Sequence, residues 1–147
     1  MRGRVLSVRL KEARGRMREM ESLVMEEERG IVGDWHYGKD EFEKRQVLLL
    51  DRSALSEFGY SPGVLREQVL VDFPSLQGLP AGARLQIGTA TVEITSDCSG
   101  CRHMAETVGE DPEGFVQKVM NRRGMLARVV VSGEVRPSDD VRLIAHD

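Results

Sequence analysis

Cysteine is scarce in this chain: Cys98 and Cys101 are the two present among 147 residues. Two are too few for a disulfide framework, so the fold must rest on an apolar core, which a chain of this length can supply. In a reducing compartment, cysteines this closely spaced more often serve metal or redox chemistry. Long apolar runs are missing too. No stretch approaches the roughly 18 consecutive apolar residues of a membrane-spanning helix. The basic N-terminus, MRGRVLSVRLKEARGRMREM, lacks the apolar centre of a secretory signal, so the expectation is a cytoplasmic protein with no membrane partner. Nor does one sign of charge dominate: 24 acidic against 21 basic residues give a net charge of -3, hence no general positive field for nucleic acid. Any anion site must be local. There is no internal repeat and no low-complexity segment. What remains, 40% hydrophobic and 31% charged residues, is the composition of an ordinary globular protein, and the length fits one domain over residues 1–147.

Residues 4–10, RVLSVRL, read as a first strand, although Val5 and Val8 fall out of strict alternation. Between residues 11 and 28, Ala13, Met17, Met20, Leu23 and Val24 recur at helical spacing among good helix formers, and by itself this predicts an amphipathic helix. Gly30, Gly33 and Gly38 break RGIVGDWHYG into a tight loop. RQVLLLD, residues 45–51, has strand length. Asp51 or Ser53 can cap a short helix that runs through Phe58 and stops at Gly59. A turn at Ser61-Pro62-Gly63 precedes the β-rich run VLREQVLVDF, and ARLQIGTATVEIT reads as a β-hairpin about Gly88. Asp111-Pro112-Glu113 opens a helix to about Asn121, and residues 126–132 and 141–145 supply two last strands. Many short strands with few helices, not alternating regularly, point to a mainly β barrel or sandwich.

Four constellations bear chemistry. Ser96-Asp97-Cys98-Ser99-Gly100-Cys101 follows a strand and leads into Arg102-His103; nearby cations or a helix start would favour a thiolate there, whereas a buried cysteine would be a small core residue. The Cys98-x-x-Cys101 spacing also fits half a zinc site or a dithiol redox pair, but His36, His103 and His146 are scattered, and the βαβ context of a thioredoxin-like pair is missing. If the loop is extended, Asp34 and His36 project to the same side, and an Asp can fix a His tautomer for proton transfer; the alternative is a polar turn whose side chains bond the backbone. Arg45, Arg66, Arg122 and Arg123 stand beside strands or turns and are candidates for phosphate or carboxylate, against the ordinary fate of a surface arginine. The basic stretch at residues 11–18 reads as a solvated face.

In order and spacing, several pieces resemble the MOSC domain family (molybdenum cofactor sulfurase C-terminal domain): Gly30-Ile31-Val32-Gly33-Asp34-Trp35-His36-Tyr37-Gly38; Arg45-Gln46-Val47; Pro62-Gly63 with Arg66-Glu67; Leu85-Gln86-Ile87-Gly88; Val92-Glu93-Ile94-Thr95, with Cys101 six residues beyond; and Arg123-Gly124 with Gly133-Glu134-Val135. The likeness spans roughly residues 30–143. It implies a twisted β-barrel with a few short helices, and hence a strand near residues 22–28 where periodicity predicts helix. Three positions depart from the usual pattern: Gln68 where Asn is common, Ser138-Asp139 where Gly-Asp is common, and Gly100 where proline usually precedes the cysteine.

The resemblance further implies molybdenum cofactor (molybdopterin) as the bound group, with Cys101 as metal ligand or sulfur carrier and Cys98 as an added thiol. Asp34 and His36 would line a catalytic pocket, and Arg45, Arg66, Arg123 and Thr95 would hold the cofactor. It also implies reduction of N-hydroxylated compounds or sulfur transfer. The chain has no flavin or iron–sulfur motif, so an electron-donating reductase or a pyridoxal phosphate-linked cysteine desulfurase would be the partner. The competing expectations are a non-catalytic cofactor carrier and a zinc or redox protein built on both cysteines.

Overall fold

A computed structural model of the chain describes residues 2–98, 102–119 and 122–146. Its frame is a β-barrel. The strands β1 (Arg2–Ala13), β2 (Arg16–Met20), β5 (Val47–Asp51), β6 (Val69–Asp72), β7 (Ala83–Ile87), β8 (Ala90–Asp97), β9 (Met125–Val131) and β11 (Asp140–His146) form one sheet in the order β11-β7-β8-β9-β5-β6-β1-β2. Pairing of β11 with β1 closes seven of them into a ring and leaves β2 as an appended edge. The pair β5–β6 is parallel, bridged by α1 (Arg52–Phe58), and the other barrel pairs are antiparallel. A small second sheet joins β3 (Leu23–Glu26), β4 (Gly30–Ile31) and β10 (Gly133–Val135). The mainly β expectation, with few and short helices, holds.

Pattern and register agree closely. Val5 and Val8 both point into the barrel although three residues apart, because β1 carries a bulge against β6: Val5 faces Val71 and Ser7 faces Leu70. An inserted residue shifts the alternation by one, which is what the broken period recorded. Leu49, Val69, Leu85, Val92, Ile94, Ala127 and Val129 fill the same interior.

The helix suggested over residues 11–28 does not form. The chain turns back at Gly15, whose φ is +79°, and β2 pairs antiparallel with β1, Leu10 facing Arg18. β3 then buries Leu23 and Met25 on one face and leaves Val24 exposed. The family-implied strand near residues 22–28 is therefore present. The run VLREQVLVDF also divides: its first two residues belong to a turn over residues 62–65, and only Val69–Asp72 is strand.

Outside the barrel a second apolar layer seats α1, α2 (Arg102–Val108) and α3 (Pro112–Val119). Leu55, Phe58, Met104, Ala105, Phe115 and Val119 pack on Leu50, Leu65 and Leu70. The caps are those expected: Asp51 accepts the Ser53 amide at 3.1 Å, Gly59 ends α1 at φ +78°, and Asp111 accepts the Gly114 amide at 2.9 Å. Each supplies a partner to a helix-end group that would otherwise lack one. Among the described residues no helix is long and apolar enough to cross a membrane.

Candidate functional site

The segment after β4 is a series of turns rather than an extended strand: the Asp34 amide donates to Ile31, Tyr37 to Asp34, and Gly38 to Arg29. Asp34 and His36 still meet. Asp34 Oδ2 lies 3.0 Å from His36 Nδ1 and accepts the His36 amide at 3.0 Å, while Oδ1 accepts the Lys11 amide at 2.7 Å. The carboxylate thus pins the loop to β1 and orients the imidazole. A carboxylate only accepts, so Nδ1 is the ring nitrogen that donates to Asp34, and Nε2 is the one turned away from it. The His36 ring stands edge-on to Phe42 at 4.5 Å, and the exposed Arg45 guanidinium lies 5.3 Å from the same ring. Phe42 therefore links Arg45 to His36.

Arg66 closes the turn that opens at Pro62. It is half-buried and its φ is +63°, a left-handed backbone that costs a non-glycine residue on the order of 1 kcal/mol or more. The turn is held by its own contacts: the Arg66 amide donates to Gly63 at 3.0 Å, and the Gly63 amide donates to Glu67 Oε2 at 2.6 Å. Lys11 belongs to the same neighbourhood, its pKa lowered by burial and by the Arg66 charge against the opposing pull of Asp34.

Glu67 is fully buried. Its Oε2 lies 4.0 Å from Arg9 Nη1, and its Oε1 has no hydrogen-bond partner. Burial pushes its carboxyl above the usual range, and the Gly63 amide and the charges of Arg9 and Arg123 only partly offset this. Arg123 is 5% exposed, and its Nη1 likewise has no partner. Buried polar groups are nearly always satisfied, so two orphans sharing one field require an explanation.

Arg123 is positioned by Gly124. That glycine has φ +104°, and a Cβ on it would lie 2.4 Å from the Leu49 carbonyl. Its amide donates to Gln77 Oε1 at 3.1 Å, and its carbonyl accepts the Cys98 amide at 2.8 Å. The backbone of Cys98 is thereby tied to the residue next to Arg123. Cys98 is half-buried. Cys101, the expected reactive position, lies outside the described residues, as do the side chains of Arg102 and His103. Arg122 is exposed and paired with Glu57.

Thr95 sits apart from these groups. It is the extra residue of a bulge in β8, between Ile94 opposite Ala127 and Ser96 opposite Leu126, and its hydroxyl lies within reach of the carbonyls of Lys44 and Leu126. It also borders a polar cleft of about 740 Å³ edged by Glu28, Arg29, Lys39, Lys44 and Arg128. There Glu93 is bound by Arg84 at 3.1 Å and Arg128 at 3.2 Å; burial raises its carboxyl pKa, but the two arginines outweigh it and the net shift is downward. Among the described residues no group of three or more His, Cys, Asp and Glu is arranged to hold a metal ion.

Sequence reasoning brought Asp34 and His36 together and set Arg45, Arg66, Arg122 and Arg123 beside strands or turns; the structure adds Arg45 to the Asp34–His36 pair through Phe42. It missed Arg9, Glu67 and the Glu93–Arg128 pair as members of charged clusters. A usable signal existed for the first two: each interrupts an apolar strand-forming run, RVLSVRL and VLREQVLV, where a charge has to be buried or turned away.

Comparisons with known proteins agree with this architecture. A family model described as the MOSC domain matches residues 35–142. Among solved structures, the YuaD protein from Bacillus subtilis superposes with a TM-score of 0.84 at 19% identity, covering 100% of this chain and 98% of that one. YiiM from Escherichia coli gives 0.73 at 18% identity, over 100% of this chain and 71% of that one. YiiM from Geobacillus stearothermophilus gives 0.72 at 14% identity, over 97% and 75%. At such identities the likeness is one of fold. No curated protein matches the chain. The family match covers well over half of the residues, from the Asp34–His36 turn to the closing strand of the barrel, and the chain belongs to the MOSC domain family.

Proposed function

We propose that this chain is a molybdenum cofactor protein, with Cys101 as the ligand to molybdenum or the carrier of sulfur. The observation that carries the reading is Arg123: a buried guanidinium with an unpartnered Nη1, next in sequence to the glycine that anchors the Cys98 backbone. A buried guanidinium nitrogen without a hydrogen-bond partner is costly, and an oxyanion such as the cofactor's phosphate would satisfy it. The residues present fit such a group. Arg123 would hold its phosphate, Arg66 and Arg45 would add positive charge near Lys11 and near the His36 turn, and Thr95, whose hydroxyl reaches the carbonyls of Lys44 and Leu126, stands apart from them. When bound, the cofactor would supply two-electron chemistry at the metal.

The chain's own residues would hold and move protons. His36, oriented by Asp34 through Nδ1, would offer Nε2 to the reacting proton. The substrate class in this reading is an N-hydroxylated compound, reduced with electrons from a separate reductase; in its sulfur-transfer form, the donor is a pyridoxal phosphate-linked cysteine desulfurase.

The test is anaerobic reconstitution of the purified protein with molybdenum cofactor, measuring bound molybdenum and pterin in wild type, Cys101→Ser and Arg123→Met. Stoichiometric binding that falls in both variants is the expected result. Absence of binding in all three sinks the reading. Binding without turnover of N-hydroxylated compounds, with a reductase present, would instead make the chain a carrier that delivers the cofactor.

A further inference from the structure

Two segments converge on β5. Gln68, next to Glu67, accepts the Leu48 amide through its side-chain oxygen at 2.8 Å, and Gly124, next to Arg123, packs so closely that a Cβ would come within 3.0 Å of Leu48 Cδ1. The same two segments carry the buried side-chain atoms without partners among the described residues, Glu67 Oε1 and Arg123 Nη1. An ion pair would settle both, yet no contact joins them. Each is available to something else.

The charged groups around Glu67 are few. Arg9 faces it from β1 and is itself bonded to Ser7 at 2.7 Å and to Glu19 of β2 at 3.1 Å. Arg123 acts on it from the bend before β9, and Arg66 precedes it in sequence. Arg9 is committed to neighbours, whereas Arg123 has donor capacity left. An anion on Arg123 would cancel the cationic field that favours the charged carboxylate, while burial goes on opposing that charge.

We propose that Glu67 and Arg123 form one buried unit, in which a phosphate-type oxyanion seated on Arg123 is matched by a proton taken from solvent onto Glu67. This rests on the reading that Arg123 is an anion-binding residue, and adds that binding is coupled to proton uptake at a named carboxyl. The protonated acid then has an O–H to donate in the pocket where Oε1 is otherwise unpaired. Net charge at the site changes less than the charge of the anion that enters.

Carbon-13 carboxyl spectroscopy tests it, with the Glu67 signal assigned by its loss in Glu67→Gln and followed against pH in wild type, Arg123→Met and Arg123→Lys. Removing one of two buried charges that share a field is destabilising, and the lysine variant keeps the charge should the methionine variant fail to fold. Arg123→Met should make Glu67 titrate at higher pH, and Arg123→Lys should leave it near the wild-type position. Inorganic phosphate should shift wild-type Glu67 upward, together with the Arg123 Nε signal, and have no effect in Arg123→Met. If protein loaded with molybdopterin already shows the shifted Glu67 and phosphate adds nothing, the cofactor is the source of the anion. An unchanged Glu67 in Arg123→Met, or phosphate moving the Arg123 signal but not Glu67, overturns the coupling. If Arg123→Met shifts Glu67 while neither phosphate nor cofactor does, the unit stands and the anion-binding reading fails instead.

Discussion

The backbone amide of Cys98 donates to the carbonyl of Gly124 across 2.8 Å, so Cys98, at the end of β8, and the Arg123 segment are fixed to each other through main chain. Gly124 can do this because it adopts φ +104° and lies against β5, where a Cβ would meet the Leu49 carbonyl at 2.4 Å. Gly124→Ala combines a left-handed backbone with a backbone clash and should cost roughly 2–4 kcal/mol. Urea unfolding checks it. Gly78→Ala, where nothing lies within 4 Å, is the control and should change stability by less than about 0.5 kcal/mol.

Asp34 is an acceptor for three donors, the amides of Lys11 and His36 and the His36 Nδ1. Its removal leaves them unpaired at about 1–3 kcal/mol for each buried group. Hydrogen exchange should therefore show Asp34→Ala losing protection at both Lys11 and His36. In His36→Ala the Lys11 amide keeps its acceptor and should stay protected. Equal exposure of Lys11 in the two variants would mean that the imidazole, not the carboxylate, holds the loop to β1.

Most strands of the barrel were legible because their apolar residues alternate, β5 from its short apolar run, and even the flaw in the first strand, Val5 to Val8, marked a real bulge. The stretch over residues 11–28 misled because Met17, Met20 and Leu23 match a helical period by coincidence; Gly15 was the turn signal against it. Local propensity lost to tertiary pairing with β1. In the site, the Asp34–His36 pair was visible because its members are two residues apart. The Glu67–Arg123 relationship was not, since it joins segments separated by much of the chain, and no periodicity encodes which buried charge lacks a partner.

Glu67 also gives stability a pH dependence of definite sign. Its folded-state pKa is raised from 4.5 by burial, so above that value the unfolded chain releases a proton that the native protein retains. The group's favourable contribution is complete below the unfolded value and disappears as pH rises through the folded one. Glu67→Gln removes this loss. Its stability relative to wild type should climb from about pH 4.5 upward and level off once wild-type Glu67 is ionised. Denaturant midpoints measured at a series of pH values would show this climb; a constant difference would mean that Glu67 is not held up by burial.

The cysteines separate the remaining alternatives. A dithiol or zinc role needs Cys98 and Cys101 equally, because both sulfurs would form the disulfide or bind the metal. The proposed ligand or sulfur carrier needs one. Cys98 has its amide on Gly124 whatever its side chain, so Cys98→Ser preserves the anchor of the loop. Molybdenum and pterin retention should therefore stay near wild type in Cys98→Ser and fall at least about tenfold in Cys101→Ser, the range seen when a metal-site group is lost. Parallel loss in both variants, or zinc copurifying with wild type and with neither variant, would move the chain's chemistry from a single thiolate to the pair.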